Sequence, residues 1–543
     1  MSKANTKIKA NSIADMPRRQ KIEILIAVMS GMFLAALDQT IVGTALPKII
    51  SDLNGLNEIG WVVSAYLLAA AVATPITAKL SDIYGRKVMF FVNVIIFLIG
   101  SLVCGLSDSM AMLIAGRAIQ GVGGGGLLAG AFTIIGDIFP PRERGKWIGL
   151  LGATFGIASV IGPTLGGWLT DNLSWHWVFL VNLPVGLIAM AIAAHALPNI
   201  KRDFAGKIDW LGAVGVAATV IPFLLALVWG GDKYSWSSPQ ILGLFAMSLI
   251  CLPIFVYIES RASDPILPLR LFKERTFSLG NLIVMLAFLS LFGAVLYIPI
   301  FVQTVQGSTA TNSGLILLPL MAANVVANIA AGQFVSRTGR YKGLVMLSLL
   351  TTAAGMFVLS TLEYNSANSK VILGMVLVGL GLGPSFSVIP TMIQNAFPNR
   401  DLGVVTGAVT FFRTVGGAIG ASLLGAVFNR VLQDKLASIS TQNIPAQFAD
   451  KLKDPNFVQN YQAVDGARSA LQALPLPAAL KAGIIQGFEA FVAASKVALT
   501  DAIVAVFLAA GVLILIAFIL MAFVPNKELR TTHADEGEAG LPA

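Results

Sequence analysis

Residues 121–149 read GVGGGGLLAGAFTIIGDIFPPRERGKWIG, and residues 379–407 read GLGLGPSFSVIPTMIQNAFPNRDLGVVTG. Gly121-x-Gly123-x-Gly125 returns as Gly379-x-Gly381-x-Gly383, and Phe139-Pro140 returns as Phe397-Pro398. Gly145 comes back as Gly403 and Gly149 as Gly407, all at one constant offset. Ahead of each stretch stands a Gly-Arg pair, Gly85-Arg86 and Gly339-Arg340. Features that share one register mark an internal repeat rather than a chance likeness of glycine-rich segments.

What repeats is membrane helix. Of 543 residues, 56% are hydrophobic and 12% charged, with a mean hydropathy of +0.79. A soluble chain carries roughly 25% charged residues. Apolar runs of about 20 residues recur, the length that crosses a hydrocarbon core as helix. Fourteen spans are predicted: 24–46, 60–81, 88–107, 111–135, 147–169, 176–197, 209–229, 239–259, 277–304, 313–335, 343–362, 371–392, 403–430 and 498–524. The repeat pairs the first six with the last six and leaves the seventh and eighth between them.

The expected fold is therefore an all-α integral membrane protein of two pseudo-symmetric six-helix bundles plus two extra helices. Its expected parts are a basic tail 1–23, a bundle 24–197, a linker 198–276 with the extra pair, a second bundle 277–524 and a tail 525–543. A long loop, roughly 431–497, reads as a partly helical external cap with helical patches such as 478–494. Two such bundles imply a site near the midplane between them, opened alternately by rocking.

Lys and Arg crowd one set of loops, among them Arg18, Arg19, Lys21, Arg86, Lys87, Arg142, Arg144, Arg261, Arg337 and Arg340. The short loops of the other set hold only Lys48, Lys233 and Lys370. Basic loops stay on the cytoplasmic side, so both termini are expected there, in a cell membrane. This reading accounts for the formal charge of +9 without a nucleic-acid partner. Trp61, Trp168, Trp175, Trp177, Trp229 and Trp236 fall near predicted outer ends, the zone indole prefers. The basic start leads into a full-length span, which reads as a retained first helix rather than a signal. Cys104 and Cys251 lie in apolar spans, and His176, His195 and His533 are scattered, so neither a disulfide framework nor a metal site is expected.

Several segments carry function. Gly121-Val-Gly123-Gly-Gly-Gly126 fits a dinucleotide fingerprint in letters, but it lies within a span and follows no strand. Close helix packing explains it. Gly152, Gly156, Gly162-Pro163 and Gly166-Gly167 line the fifth span, as suits a helix at a moving interface. Lys79-Leu-Ser-Asp82-Ile-Tyr-Gly85-Arg86-Lys87 crosses the loop after the second span and reads as a conformational latch. Asp82 has a helix N-terminus, Arg86 or Arg144 as candidate partners, with Asp137 a second acid in reach.

Asp38 sits among Leu34, Ala35, Leu37, Ile41 and Val42 in the first span, about 12 Å from its outer end by helical rise. Arg117 in the fourth lies at about 9 Å on the same measure. Similar depth lets the two meet, and charges so deep cost several kcal/mol unless paired or hydrated. Burial disfavours a charged carboxylate and a nearby arginine favours it, so a movable Arg–Asp pair is a proton switch. Arg413 is a third deep charge, left with three readings: it holds an anionic group, carbonyls or helix ends.

These segments together resemble the major facilitator superfamily. Leu37-Asp38-Gln-Thr-Ile-Val-Gly-Thr-Ala-Leu46-Pro47 is similar to the first-helix motif of its fourteen-helix drug:proton antiporter branch. Trp175-His-Trp-Val-Phe-Leu-Val-Asn182-Leu-Pro184-Val-Gly186, Asp209-Trp210-Leu-Gly212, Asp264-Pro-Ile-Leu-Pro-Leu-Arg270 and Arg413-x-x-Gly416-Gly417 add to the likeness. The resemblance implies a multidrug efflux transporter, of the kind that confers antibiotic resistance, exchanging lipophilic compounds for protons. It places proton coupling on Asp38 and Arg117 and the antiporter motif on 152–167.

The sequence departs from the family pattern at Ala78, where glycine is usual, and at Ser336, where an acid is usual. Asn324 and Asn328 stand in spans where some members carry extra acids, which argues against strong selectivity for multivalent cations. Candidate cavity residues are Gln39, Tyr66, Gln120, Tyr297, Asn324, Phe411, Phe412 and Arg413. The expected partners are the bilayer, protons and lipophilic small molecules, with a monomer as the working unit and no cofactor beyond a proton gradient. Two other readings keep the membrane class: export of a specific lipid, metabolite or siderophore, or a receptor or scaffold that binds through the outer loop. No catalytic constellation suggests an enzyme.

Overall fold

Six helices pack in the same order twice. The computed structural model describes residues 16–53, 59–198, 208–231, 233–307, 310–398, 401–439, 461–473 and 477–530. The first bundle holds α1 (Arg18–Leu53), α2 (Ile59–Tyr84), α3 (Arg86–Gly105), α4 (Met110–Ile138), α5 (Pro141–Asn172) and a sixth span made of α6 (Trp177–Leu180) and α7 (Asn182–Ala196). The inserted pair is α8 (Trp210–Trp229) and α9 (Pro239–Arg261). The second bundle holds α10 (Arg275–Ile300), α11 (Ala310–Thr338), α12 (Lys342–Leu359), α13 (Asn368–Asn395), α14 (Leu402–Ser438), α15 (Tyr461–Ala473) and α16 (Ala478–Ala522). α15 is a short helix outside the six.

Among the described residues, 13 helices are long and apolar enough to cross a membrane. The fourteenth expected span is α5, whose 32 residues suffice in length.

The repeat holds down to individual contacts. α2 packs on α4 as α11 packs on α13, α3 on α4 as α12 on α13, and α1 on α5 as α10 on α14. Gly121 lies against the Tyr66 carbonyl where Gly379 lies against that of Leu320, and Gly125 meets Ala70 where Gly383 meets Asn324. A side chain at any of these would strike backbone, so the helices close only over glycine. Gly85 and Gly339 both take φ values, 94° and 71°, that favour glycine, turning the chain tightly between adjacent spans.

The bundles meet along two seams, α5 on α11 and α2 on α14, and α8 of the inserted pair lies against α2 and α14 at one of them, with α9 packed on α8. Asp209 caps α8 by accepting from the Gly212 N–H at 2.8 Å. Asp264 pairs with Lys79 at 3.7 Å and Arg270 with Asp401 at 2.7 Å, which pins the linker to α2 and to the start of α14.

Three expectations need correcting. The outer loop is shorter than read, because α14 runs on to Ser438 and α16 begins at Ala478. Residues 440–460 and 474–476 lie outside the described residues, as do 1–15 of the basic tail. The tail from 525 is not free up to Arg530, and its remainder lies outside the described residues. Lys527 N–H donates to Tyr341 Oη at 3.0 Å, Arg530 N–H to Asn395 Oδ1 at 3.0 Å, and Arg142 N–H to the Arg530 carbonyl at 3.2 Å. Lys527 also pairs with Glu274 at 3.1 Å. Burial works against the charged form of Glu274, yet its bonds to Lys527 and Thr276 hold the carboxyl below its ordinary range. The tryptophans, finally, divide: Trp177 is 47% exposed, whereas Trp175 is 1% exposed and donates to Asp52 Oδ2 at 3.1 Å.

Candidate functional site

Asp38 and Arg117 meet. The carboxylate on α1 is 0% exposed and accepts from Arg117 Nη1 on α4 at 2.5 Å through Oδ2. Its other oxygen accepts from Gln120 Nε2 at 3.0 Å and from Asn182 Nδ2, at the start of α7, at 2.9 Å. Ser101 Oγ on α3 accepts from Gln120 Nε2 at 2.7 Å and from Asn182 Nδ2 at 3.3 Å, so four helices converge on the acid. Arg117 is also held by the Val62 carbonyl at 3.0 Å and Gln120 Oε1 at 2.8 Å. The Cys104 thiol donates to that same Gln120 oxygen at 3.5 Å. A buried pair is sustainable only when its remaining lone pairs and protons are satisfied, which these amides accomplish.

Tyr66 joins this network to the space between the bundles. Arg117 lies over its ring at 4.5 Å, and its hydroxyl accepts from Gln39 Nε2 at 3.4 Å. Tyr66 and Gln39 also line a cavity of about 1370 Å³ bounded by both bundles and by the α8–α9 turn. The cavity reaches from Arg430 and Gln433, near the end of α14 away from the chain termini, down to Arg413 and Phe132. Asn324 and Arg413 line it as well.

Four expected cavity residues do not. Gln120 is withdrawn into the Asp38 network, one helical turn from Arg117. Tyr297 packs on Phe428 at 4.9 Å between ring centroids. Phe411 and Phe412 pack on one another at 5.5 Å, and Phe412 on Phe272. The rings that do line the cavity beside Arg413 are Phe132, Phe288 and Phe386, with centroids at 4.9, 4.7 and 5.1 Å from its guanidinium carbon. Such contacts are worth about 0.5–2 kcal/mol each. Sequence reading also missed Ser101, while Asn182 was quoted only within a longer motif.

At the face carrying the termini the cavity is shut. Arg86 Nη2 pairs with Asp82 at 2.5 Å, its Nε with Asp137 at 2.7 Å, and its Nη1 donates to Ser81 at 2.9 Å. Asp82 lies against Gly403 in the first turn of α14, across the bundle boundary. Of its candidate partners it takes Arg86, not Arg144. Arg144 donates instead to the Phe139 carbonyl at 2.8 Å and to Gln394 of α13 at 3.4 Å. Arg142 donates to the Ser336 carbonyl at 2.6 Å and to the Arg337 carbonyl.

α5 divides its glycines between two faces. Gly145 lies against Gly332, Gly152 against Asn328 and Gly156 against Val325, all on α11 of the other bundle. Gly162 and Gly166 instead meet Thr40, Ile41 and Thr44 on α1 of their own bundle, and a side chain at Gly167 would meet nothing. Only the first group sits at the seam, so the moving-interface reading does not extend to Gly162–Gly167. The Pro163 side chain lies outside the described ones.

Two six-helix bundles that enclose a cavity, with a paired carboxylate sealed in one wall, have the architecture of a membrane transporter. The chain belongs to the major facilitator superfamily, whose family model matches residues 28–421. It is 37% identical over 523 residues to the multidrug transporter protein MdtP of Bacillus subtilis (strain 168), covering 94% of each chain. Multidrug resistance protein 3 of the same strain is 35% identical over 512 residues, covering 94% of this chain and 96% of that one. The efflux pump FUS6 of Gibberella moniliformis is 34% identical over 440 residues, covering 79% and 77%. Among solved structures, the proton:xylose symporter XylE superimposes with a TM-score of 0.56 at 15% identity, covering 94% of this chain and 97% of that one.

Proposed function

We propose that this protein exports lipophilic small molecules across the cell membrane in exchange for protons, by alternating access. The observation that carries the reading is the Asp38–Arg117–Gln120–Asn182 network, sealed from water yet separated from the cavity by one side chain, Tyr66. Relatives at 34–37% identity that bear the names multidrug transporter and efflux pump support the export of drugs. With the termini cytoplasmic, as the loop charges indicate, the conformation described is open to the outside and closed within.

The coupling follows from the contacts. A proton reaching Asp38 discharges the pair and leaves Arg117 with a carbonyl, an amide oxygen and the Tyr66 ring as partners. Arg117 then shifts toward whichever neighbours satisfy it, and Tyr66 moves with it. Cargo pressing on Tyr66 acts on the same lever in reverse. Proton and cargo thereby bias one rocking equilibrium, as coupling requires.

Substrate-induced proton release in proteoliposomes tests the reading directly. Addition of an exported compound is expected to release protons from the reconstituted protein, and cargo movement without proton movement would sink it.

The α5–α11 seam gives a second check. A side chain at Gly332 would meet the Gly145 carbonyl and the Lys146 nitrogen, backbone atoms that cannot swing aside. Overpacking of this kind costs about 1–3 kcal/mol. Gly332→Val is therefore expected to disfavour closure of the cytoplasmic seam and slow efflux roughly tenfold. Gly343→Val, where an added Cβ meets nothing within 4 Å, serves as the control and leaves efflux unchanged.

A further inference from the structure

Arg413 is a cation for which the described residues supply no counter-charge. Among the described residues it makes no ion pair and no hydrogen bond, and its Nε is buried without a partner. Three phenylalanine rings from α4, α10 and α13 surround its guanidinium, so the group is held in place rather than left to swing. An arginine that served only to tie helices together would spend its donors on carbonyls, as Arg142 and Arg144 do at the inner gate.

The charge of the cavity points the same way. Among the described residues its lining contains two charged side chains, Arg413 and Arg430, and no aspartate or glutamate. Arg430 stands on the same helix about 25 Å above Arg413 by helical rise. Asp38, behind Arg117 and Tyr66, is 0% exposed and already committed to Arg117 and two amides. An organic cation entering the cavity meets positive charge at both ends and no carboxylate among the described lining residues. An anion meets free guanidinium donors at the floor and apolar wall along the way.

We propose that the cavity is an anion-directed site: it takes lipophilic monoanions, the anionic group seated on Arg413 and the apolar body against Phe132, Phe288 and Phe386. This inference rests on the export reading above and names the cargo class for that same cavity. The guanidinium fork suits a planar carboxylate, which it can grip with two parallel N–H donors.

The test uses three probes of equal bulk, 1-pyrenebutyrate, its amide and 4-(1-pyrenyl)butylammonium, titrated by fluorescence against the full chain in nanodiscs. Empty nanodiscs correct for partition into lipid. The carboxylate is expected to bind at least about tenfold tighter than the amide, and the ammonium more weakly than the amide. Arg413→Gln should erase the preference for the carboxylate, and Arg413→Lys should restore part of it. The lysine variant also keeps the comparison open should the glutamine variant fold poorly.

Equal affinity for the three probes overturns the proposal, and so does a carboxylate preference that survives Arg413→Gln. Binding of none of them, in a protein that still releases protons on export of another compound, overturns it too and leaves the export reading standing. Loss of proton release with all compounds, while pyrenebutyrate still binds through Arg413, overturns the export reading instead.

Discussion

Asp38→Asn is expected to abolish substrate-driven proton movement and to lower uphill export to the level of empty vesicles. Asparagine keeps the size of the side chain, and its oxygen still accepts from Gln120 and Asn182, so the first bundle folds. What it cannot do is bind and release a proton. With the network fixed in its discharged form, Arg117 loses the two-state partner that links its position to the proton gradient. Downhill leakage of cargo persists, because the cavity itself lacks Asp38. The measurement is proton flux and cargo flux in the same vesicles, with and without an imposed pH gradient. Undiminished coupled export by this variant would remove Asp38 from the mechanism.

Arg117→Met is expected to be the most destabilising single change in the first bundle. Breaking a buried ion pair by removing one partner costs about 3–5 kcal/mol, because the surviving charge is left without compensation. Among the described residues Asp38 has two amide donors besides Arg117 and no second cation. The double variant Asp38→Asn/Arg117→Met removes both charges and should recover most of the loss. That pattern amounts to a coupling of up to about 3 kcal/mol between the sites. Thermal unfolding of the purified variants in detergent reads it. An Arg117→Met protein as stable as the wild type would mean that the pair does not hold α1 and α4 together.

Much of this was legible in the residues, and the rest for stated reasons was not. Membrane spans announce themselves by length, and the glycine repeat by register, so the two bundles are legible in the residues alone. Asp38 and Arg117 stood out because a charge inside an apolar helix has few harmless explanations. Ser101 and Asn182 carry no such mark, since a neutral polar residue in a span is common. Gln120 was the avoidable error: three residues after Arg117 on a helix, it shares that face and belongs with the acid. Tyr297, Phe411 and Phe412 could not be aimed from sequence, because an aromatic ring in an apolar helix suits lipid, core or cavity equally well. α5 was legible both as a span and as a seam, through small residues such as Gly152 and Gly156. The tail lacked the periodicity of a packed element, and only the contacts of Lys527 and Arg530 with Tyr341, Asn395 and Arg142 reveal residues 525–530 as part of the closed face.

The halves pack alike because glycines stand at matching places in both. Yet Met375 and Val378 occupy the places in α13 that Arg117 and Gln120 hold in α4, and Phe155 stands in α5 where α14 carries Arg413. The copies have parted company in their chemistry while keeping their joinery. Under the proposed mechanism the proton-binding acid belongs to one half and the charged contact for the load to the other, so a change at Arg413 alters the load while leaving the Asp38 network intact.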